Sequence, residues 1–171
     1  IGATMGNARL YAILQRFGIG QRTGIDLPGE SPGMVRPLRN WDTYSTPRVP
    51  FGQEVSTTAI QMAMAYGALS NGGLLLKPRI VDRIVDADGQ VVYQGKTQVV
   101  RRVLSPSVAA QTVGVMQQVV EDGTGKACRL SRWTSFGKTG TAQVFQNGQL
   151  LDGAYTGSFI GGAPASRPRI I

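Results

Sequence analysis

Apolar positions recur at helical spacing in three places along the chain. In residues 7–17, "NARLYAILQRF", Leu10, Tyr11, Ile13, Leu14 and Phe17 fall on one face, and Gly18 supplies a stop. Residues 56–70, "STTAIQMAMAYGALS", are apolar almost all round. That pattern predicts a central helix, the most buried of the three, with Ile60, Met64 and Ala68 nearly inaccessible. Ser56, Thr57 or Thr58 would cap it, and Asn71-Gly72-Gly73 would end it. A third helix opens at Ser105-Pro106, a cap followed by proline at the first helical position, and runs to about Glu121. Its inward face is expected to hold Val108, Ala109, Val113, Met116, Val119 and Val120. Two hairpins complete the pattern. Residues 80–85 and 90–93 flank Asp88-Gly89, and residues 136–145 and 154–163 are joined through Asn147-Gly148. The proline-rich stretch 18–50 shows little periodicity, which points to a functional or partner-covered surface. These elements make an α+β fold, an antiparallel sheet flanked by helices.

Composition removes several function classes. A chain of 171 residues is long enough for one domain with a real core. There is no histidine, so histidine triads and two-histidine zinc sites are excluded, and any general base must be Lys, Asp, Glu or Tyr. No metal or cofactor is called for. The net charge of +8 favours anionic partners. Arg9, Arg16, Arg22, Arg36, Arg48 and Arg79 are scattered singly with few aromatics among them, so a nucleic-acid partner is not expected. Cys128 is the single cysteine, which rules out an internal disulfide and suits a small packed residue. Trp41 and Trp133 suit packing or a groove wall, and Asp26 and Glu30 suit caps on loop backbone.

The chemistry concentrates in "GKTGTAQ", residues 137–143. A phosphate-binding P-loop fits poorly. Its opening glycine would fall at Arg132, or at Val120 for the second near-match Gly125-Lys126, and Lys138 lies inside a predicted strand rather than before a helix. The segment instead resembles the K-T-G element of penicillin-binding serine acyl-transferases. On a strand, Gly140 lets a substrate lie close alongside because no Cβ intervenes. A neighbouring N–H can face a developing oxyanion, worth roughly 3 kcal/mol, and a lysine with hydroxyls can hold a carboxylate.

Four further blocks surround it in order: "RFGIGQRTGIDLPGESPG" (16–33), "FGQEVSTTAIQMAMAYGALSNGG" (51–73), "GTGKA" (123–127) and "SFIGGAPASRPR" (158–169). With "GKTGTAQ" they resemble the class B penicillin-binding proteins over nearly the whole chain, the division (septal) type most and the elongation type next. The resemblance implies a serine β-lactamase-like transpeptidase fold and a peptidoglycan D,D-transpeptidase. A serine of such an enzyme attacks the penultimate D-alanine of a stem peptide, releases the terminal D-alanine and passes the acyl group to an amine. It further implies that Lys138 and Thr141 serve catalysis, Thr141 through its N–H in the oxyanion hole. Thr139, Gly140 and, less strongly, Gln143 would bind substrate. Implied partners are peptidoglycan stem peptides, β-lactams and other cell-wall or division proteins, at the outer face of the bacterial inner membrane. The family's S-x-N motif does not occur, and Ser135-Phe136-Gly137-Lys138 is the one S-x-x-K match, in strand rather than helix context. The chain is therefore expected to be a partial transpeptidase domain, 1–171, lacking the part with the nucleophile and second motif and the last strand and helix. A non-catalytic binding or regulatory module of the same fold is the alternative.

Overall fold

The computed structural model describes residues 2–146 and 149–171. Among the described residues, four α-helices and eight strands follow one another in an α+β arrangement. They are α1 (Gly2–Arg16), β1 (Met34–Val35), α2 (Ser45–Arg48), β2 (Val55–Ser56), α3 (Ala59–Ser70), β3 (Leu74–Leu76), β4 (Arg83–Val85), β5 (Val91–Gln94), β6 (Val99–Arg102), α4 (Pro106–Glu121), β7 (Phe136–Gln146) and β8 (Gln149–Gly162). Among the described residues the strands form four two-stranded antiparallel sheets rather than one: β1 with β2, β3 with β6, β4 with β5, and β7 with β8. No helix of the described residues is long and apolar enough to cross a membrane.

Local sequence accounts for the helix boundaries. α1 breaks at Gly6, whose φ of 74° and ψ of 165° are non-helical, so the regular turns begin at Asn7 as the apolar spacing predicts. α3 is capped by Thr58, not by Ser56, which belongs to β2. Thr58 Oγ1 accepts from the Gln61 N–H at 3.3 Å while Gln61 Oε1 accepts from the Thr58 N–H at 3.1 Å, a reciprocal capping box. α4 starts at Pro106 behind its cap Ser105, whose Oγ accepts from the Val108 N–H. After α3, Asn71 closes the turn through its side chain to both backbone groups of Leu74, and Gly73 stands where a Cβ would collide with the Leu104 carbonyl.

The core lies where α3 and α4 meet β7. Phe136 is fully buried against Tyr66, Val113 and Ala165, with Met62, Leu69, Met116 and Ile160 packed around them. A second cluster joins Ala68, Leu75 and Val103. α3 is the most enclosed helix, with only Ala59 exposed, but two of its three expected core positions differ. Ala68 is buried, whereas Ile60 and Met64 are half-buried and line an open groove of about 240 Å³ with Leu76 and Pro78. The α4 face also shifts. Ala109, Val113 and Val120 point inward at helical spacing, while Val108, one position round the helix, is 45 % exposed.

Gln61 is a buried polar anchor. Its Nε2 donates to the carbonyls of Gln21 at 2.7 Å and Pro32 at 2.8 Å, tying the irregular 18–50 stretch to α3. Elsewhere in that stretch Glu30 accepts from the Thr23 hydroxyl and N–H and from the Gly24 N–H. The Thr23 hydroxyl and N–H bonds hold its carboxyl below the usual range. Asp26 is exposed and makes no such contact among the described residues. Trp41 packs edge-on against Tyr11 at 5.7 Å and donates its indole N–H to Arg36, a packing role, whereas Trp133 is exposed. Cys128 is half-buried on a short turn after α4.

Candidate active site

Strand β7 carries the whole "GKTGTAQ" segment, and β8 pairs with it in unbroken register from Phe136 opposite Gly162 to Gln143 opposite Tyr155. Lys138 faces Ile160, Thr139 faces Phe159, Gly140 faces Ser158 and Thr141 faces Gly157. β8 begins at Gln149, earlier than the alternation predicts, and the Asn147-Gly148 turn lies outside the described residues. Among the described residues β7 has no partner on its second edge, so its unpaired N–H and C=O groups are available to an extended ligand.

Two glycine rows set the strand's geometry. A Cβ on Gly137 or Gly161 would collide with the Phe159 ring, so that ring lies across both glycines. Strand alternation then places Phe159 on the face of Thr139, Thr141 and Gln143. On the other face a Cβ at Gly140 would come 2.5 Å from Ser158 Oγ, and one at Gly162 would meet the Phe136 ring. Phe136, two residues before Lys138, is the buried end that fixes the strand to α3 and α4.

Polar groups gather at Lys138 and Thr139. Lys138 Nζ bends back to donate to the Thr139 carbonyl at 2.8 Å and lies 3.4 Å from Thr139 Oγ1. Thr139 Oγ1 in turn donates to Thr124 Oγ1 at 2.9 Å. Thr141 is exposed beside Gly157, and Gln143 is half-buried opposite the exposed Tyr155. The structure thus brings Lys138, Thr139 and Thr124 into one cluster, with Gly140 and Thr141 next along the strand. An ammonium, two hydroxyls and backbone N–H groups on one edge suit a carboxylate-bearing ligand. In the sequence, Thr124 stands in "GTGKA" with nothing to mark it for a role in the site. Fifteen residues separate it from Thr139, and only the packing of α4 on β7 closes that gap.

Ser135 does not behave as the start of an S-x-x-K helix. It lies immediately before β7 and in no helix, is 8 % exposed, and its Oγ has no partner among the described residues. In a strand, residues three apart project to opposite faces about 10 Å apart, so Lys138 cannot serve it as an adjacent base.

β7 thus carries a lysine-threonine-glycine sequence on a strand with one open edge among the described residues, packed on α3 and α4 through Phe136. Residues 1–171 match the penicillin binding protein transpeptidase domain, and the chain belongs to that family, in its class B branch. It is 36 % identical to penicillin-binding protein PbpB of Mycolicibacterium smegmatis over 98 % of this chain and 27 % of that protein. It is 34 % identical to stage V sporulation protein D of Bacillus subtilis over 100 % of this chain and 27 % of that one. Among solved structures, penicillin binding protein 3 of Mycobacterium tuberculosis complexed with ampicillin superposes with a TM-score of 0.87 at 36 % identity, over 96 % of this chain and 38 % of that one. The transpeptidase domain of Burkholderia pseudomallei penicillin-binding protein 3 gives 0.82 at 27 % identity, over 99 % and 49 %. The chain therefore spans 27 % of the length of those two curated relatives.

Proposed function

We propose that this chain supplies the substrate-binding strand of a peptidoglycan-cross-linking D,D-transpeptidase whose nucleophilic serine lies outside these 171 residues. The observation that carries the reading is the β7 edge, where the Lys138 ammonium and the Thr139 hydroxyl converge beside Gly140 and Thr141. Lys138, Thr139 and Thr141 hold the terminal carboxylate of a stem peptide, or that of a β-lactam. An ammonium-assisted hydrogen bond to such a group contributes about 1.5–3 kcal/mol. Gly140 leaves room for the ligand backbone to run along the strand, with Gln143 further along the same edge. The Thr141 N–H stabilises the oxyanion that forms as the serine attacks the scissile carbonyl, and the second donor comes from outside the chain. The enzyme works at the outer face of the inner membrane on stem peptides, with other cell-wall or division proteins as partners.

The experiment is labelling with fluorescent penicillin, read by intact mass and peptide mapping. The complete protein is expected to carry one penicilloyl group on a serine beyond residues 1–171, and the isolated 171-residue chain none. An adduct on Ser135 would overturn the placement of the nucleophile. A complete protein that binds penicillin reversibly and never acylates would favour a non-catalytic binding module instead.

A further inference from the structure

Thr124 sits on the turn that follows α4, and backbone fixes its place. The N–H groups of Gly123 and Gly125 both donate to the Val119 carbonyl, at 3.1 and 2.9 Å, and the Lys126 N–H closes back onto Gly123 at 3.2 Å. Neither glycine has room for a side chain. A Cβ on Gly123 would lie 2.8 Å from the Val119 oxygen, and one on Gly125 would lie 3.1 Å from it. α4 itself packs on β7, so the turn and the strand are held as one unit. The side chain of Thr124 is exposed to solvent apart from its 2.9 Å contact with Thr139 Oγ1.

That contact decides what Thr139 can do. A hydroxyl offers one proton and two acceptor sites. Lys138 Nζ is a donor only, and at 3.4 Å it occupies one acceptor site of Thr139 Oγ1. With no anion on the strand, Thr139 gives its proton to Thr124. A carboxylate only accepts, so Thr139 must turn that proton toward it. The Thr124 hydroxyl can then reverse and donate into the second acceptor site, completing a chain from Thr124 through Thr139 to the carboxylate, in which each bond polarises the next.

We propose that Thr124 is a positioning residue of the substrate strand: it fills the last acceptor site of Thr139 and leaves the Thr139 proton for the ligand's carboxylate. The inference rests on the transpeptidase reading of β7 and adds a residue to it. Threonine suits the task better than serine because its β-branch restricts χ1 on an otherwise exposed side chain.

The test uses the full-length protein, Thr124→Val and Thr124→Ser, with benzylpenicillin and its methyl ester as probes. Pre-steady-state kinetics separate the dissociation constant of the non-covalent complex from the acylation rate constant, and thermal unfolding reports the fold of each variant. Thr124→Val is expected to weaken benzylpenicillin binding about five- to tenfold, the size of one net hydrogen bond, with the acylation rate constant unchanged. The ester, which lacks the carboxylate, should bind both proteins alike, and Thr124→Ser should recover most of the loss. Equal weakening of acid and ester would mark a purely structural role and overturn the proposal. No weakening of the acid in a protein that is otherwise acylated would also overturn it, while leaving the transpeptidase reading standing. A wild-type protein that takes neither probe would remove that reading and this inference together.

Discussion

Two hairpins of this chain have the same local design and opposite surroundings. β7–β8 and β4–β5 are both antiparallel, both irregular at one point, and both rich in apolar side chains. β7 begins in the core at Phe136, crosses a row of glycines under Phe159, and reaches Lys138 only after it has been fixed to two helices. In β4–β5 every residue of both strands is exposed, including Ile84, Val85, Val91, Val92 and Tyr93. A two-stranded hairpin alone is marginal in water, so apolar content does not make a rigid element; a packing partner does. The polar groups that converge on one edge sit on the hairpin with a partner, as positional accuracy requires.

The largest expected effect comes from putting a side chain into the site edge. Gly140→Val should lower the acylation rate of the full-length protein about a thousandfold, the scale of losing an oxyanion donor, by obstructing the ligand's path. Its new Cβ meets Ser158 Oγ, the end of a short exposed side chain that can rotate away, so the domain should stay folded. Acylation per folded molecule is the quantity to measure. Unfolding with acylation retained would assign Gly140 to structure instead. Breaking the anchor is next: Phe136→Ala should destabilise the domain by about 3–5 kcal/mol in urea unfolding, because a fully buried ring leaves a cavity between α3, α4 and β7.

The part of the fold that sequence reveals is the part governed by neighbours along the chain. Thr58, Ser105-Pro106 and the Asp88-Gly89 turn are local signals, and the structure uses each of them. The "GKTGTAQ" strand and its pairing with 154–162 follow from alternation and glycine content. Ile60, Met64 and Val108 were misplaced because an apolar side chain reports only that it can be buried, and burial depends on which element lies opposite. Gln61 was legible in principle, through the Thr58–Gln61 capping spacing, but its three carbonyl partners come from a loop some 30 to 40 residues away. Thr124 carried no signal beyond its two glycines, since hydroxyl pairing across the turn exists only once α4 is packed on β7.

A smaller effect should appear at alkaline pH beneath the anchored hairpin. Burial pushes the Tyr66 phenol up to about 12 from an ordinary value of 10.0. The unfolded chain therefore loses this proton first, so stability is unaffected below pH 10 and falls as pH rises from there toward 12. The full difference corresponds to ~3 kcal/mol. Ultraviolet absorbance should show one tyrosine ionising late, and Tyr66→Phe should remove both the late step and its share of the alkaline loss. A tyrosinate signal from Tyr66 near pH 10 would mean that the floor under β7 is open to water.

The smallest effect belongs to the exposed hairpin, and it tests the comparison from its weak side. Ile84→Ser replaces a large apolar side chain in the middle of β4, directly opposite Tyr93. In a packed strand that change would cost several kcal/mol through lost burial and an unpaired hydroxyl. Here Ile84 is 50 % exposed, the serine hydroxyl can bond to water, and the loss is confined to one cross-strand contact with Tyr93. Such a pair contributes roughly 0.2–1 kcal/mol. Urea unfolding should accordingly shift by less than about 1 kcal/mol, and penicillin acylation in the full-length protein should not change. A loss as large as that of Phe136→Ala would mean that β4–β5 is buried against another part of the complete protein. The contrast between the hairpins would then lie in where each partner comes from, within these residues for β7 and outside them for β4, and not in whether a partner exists.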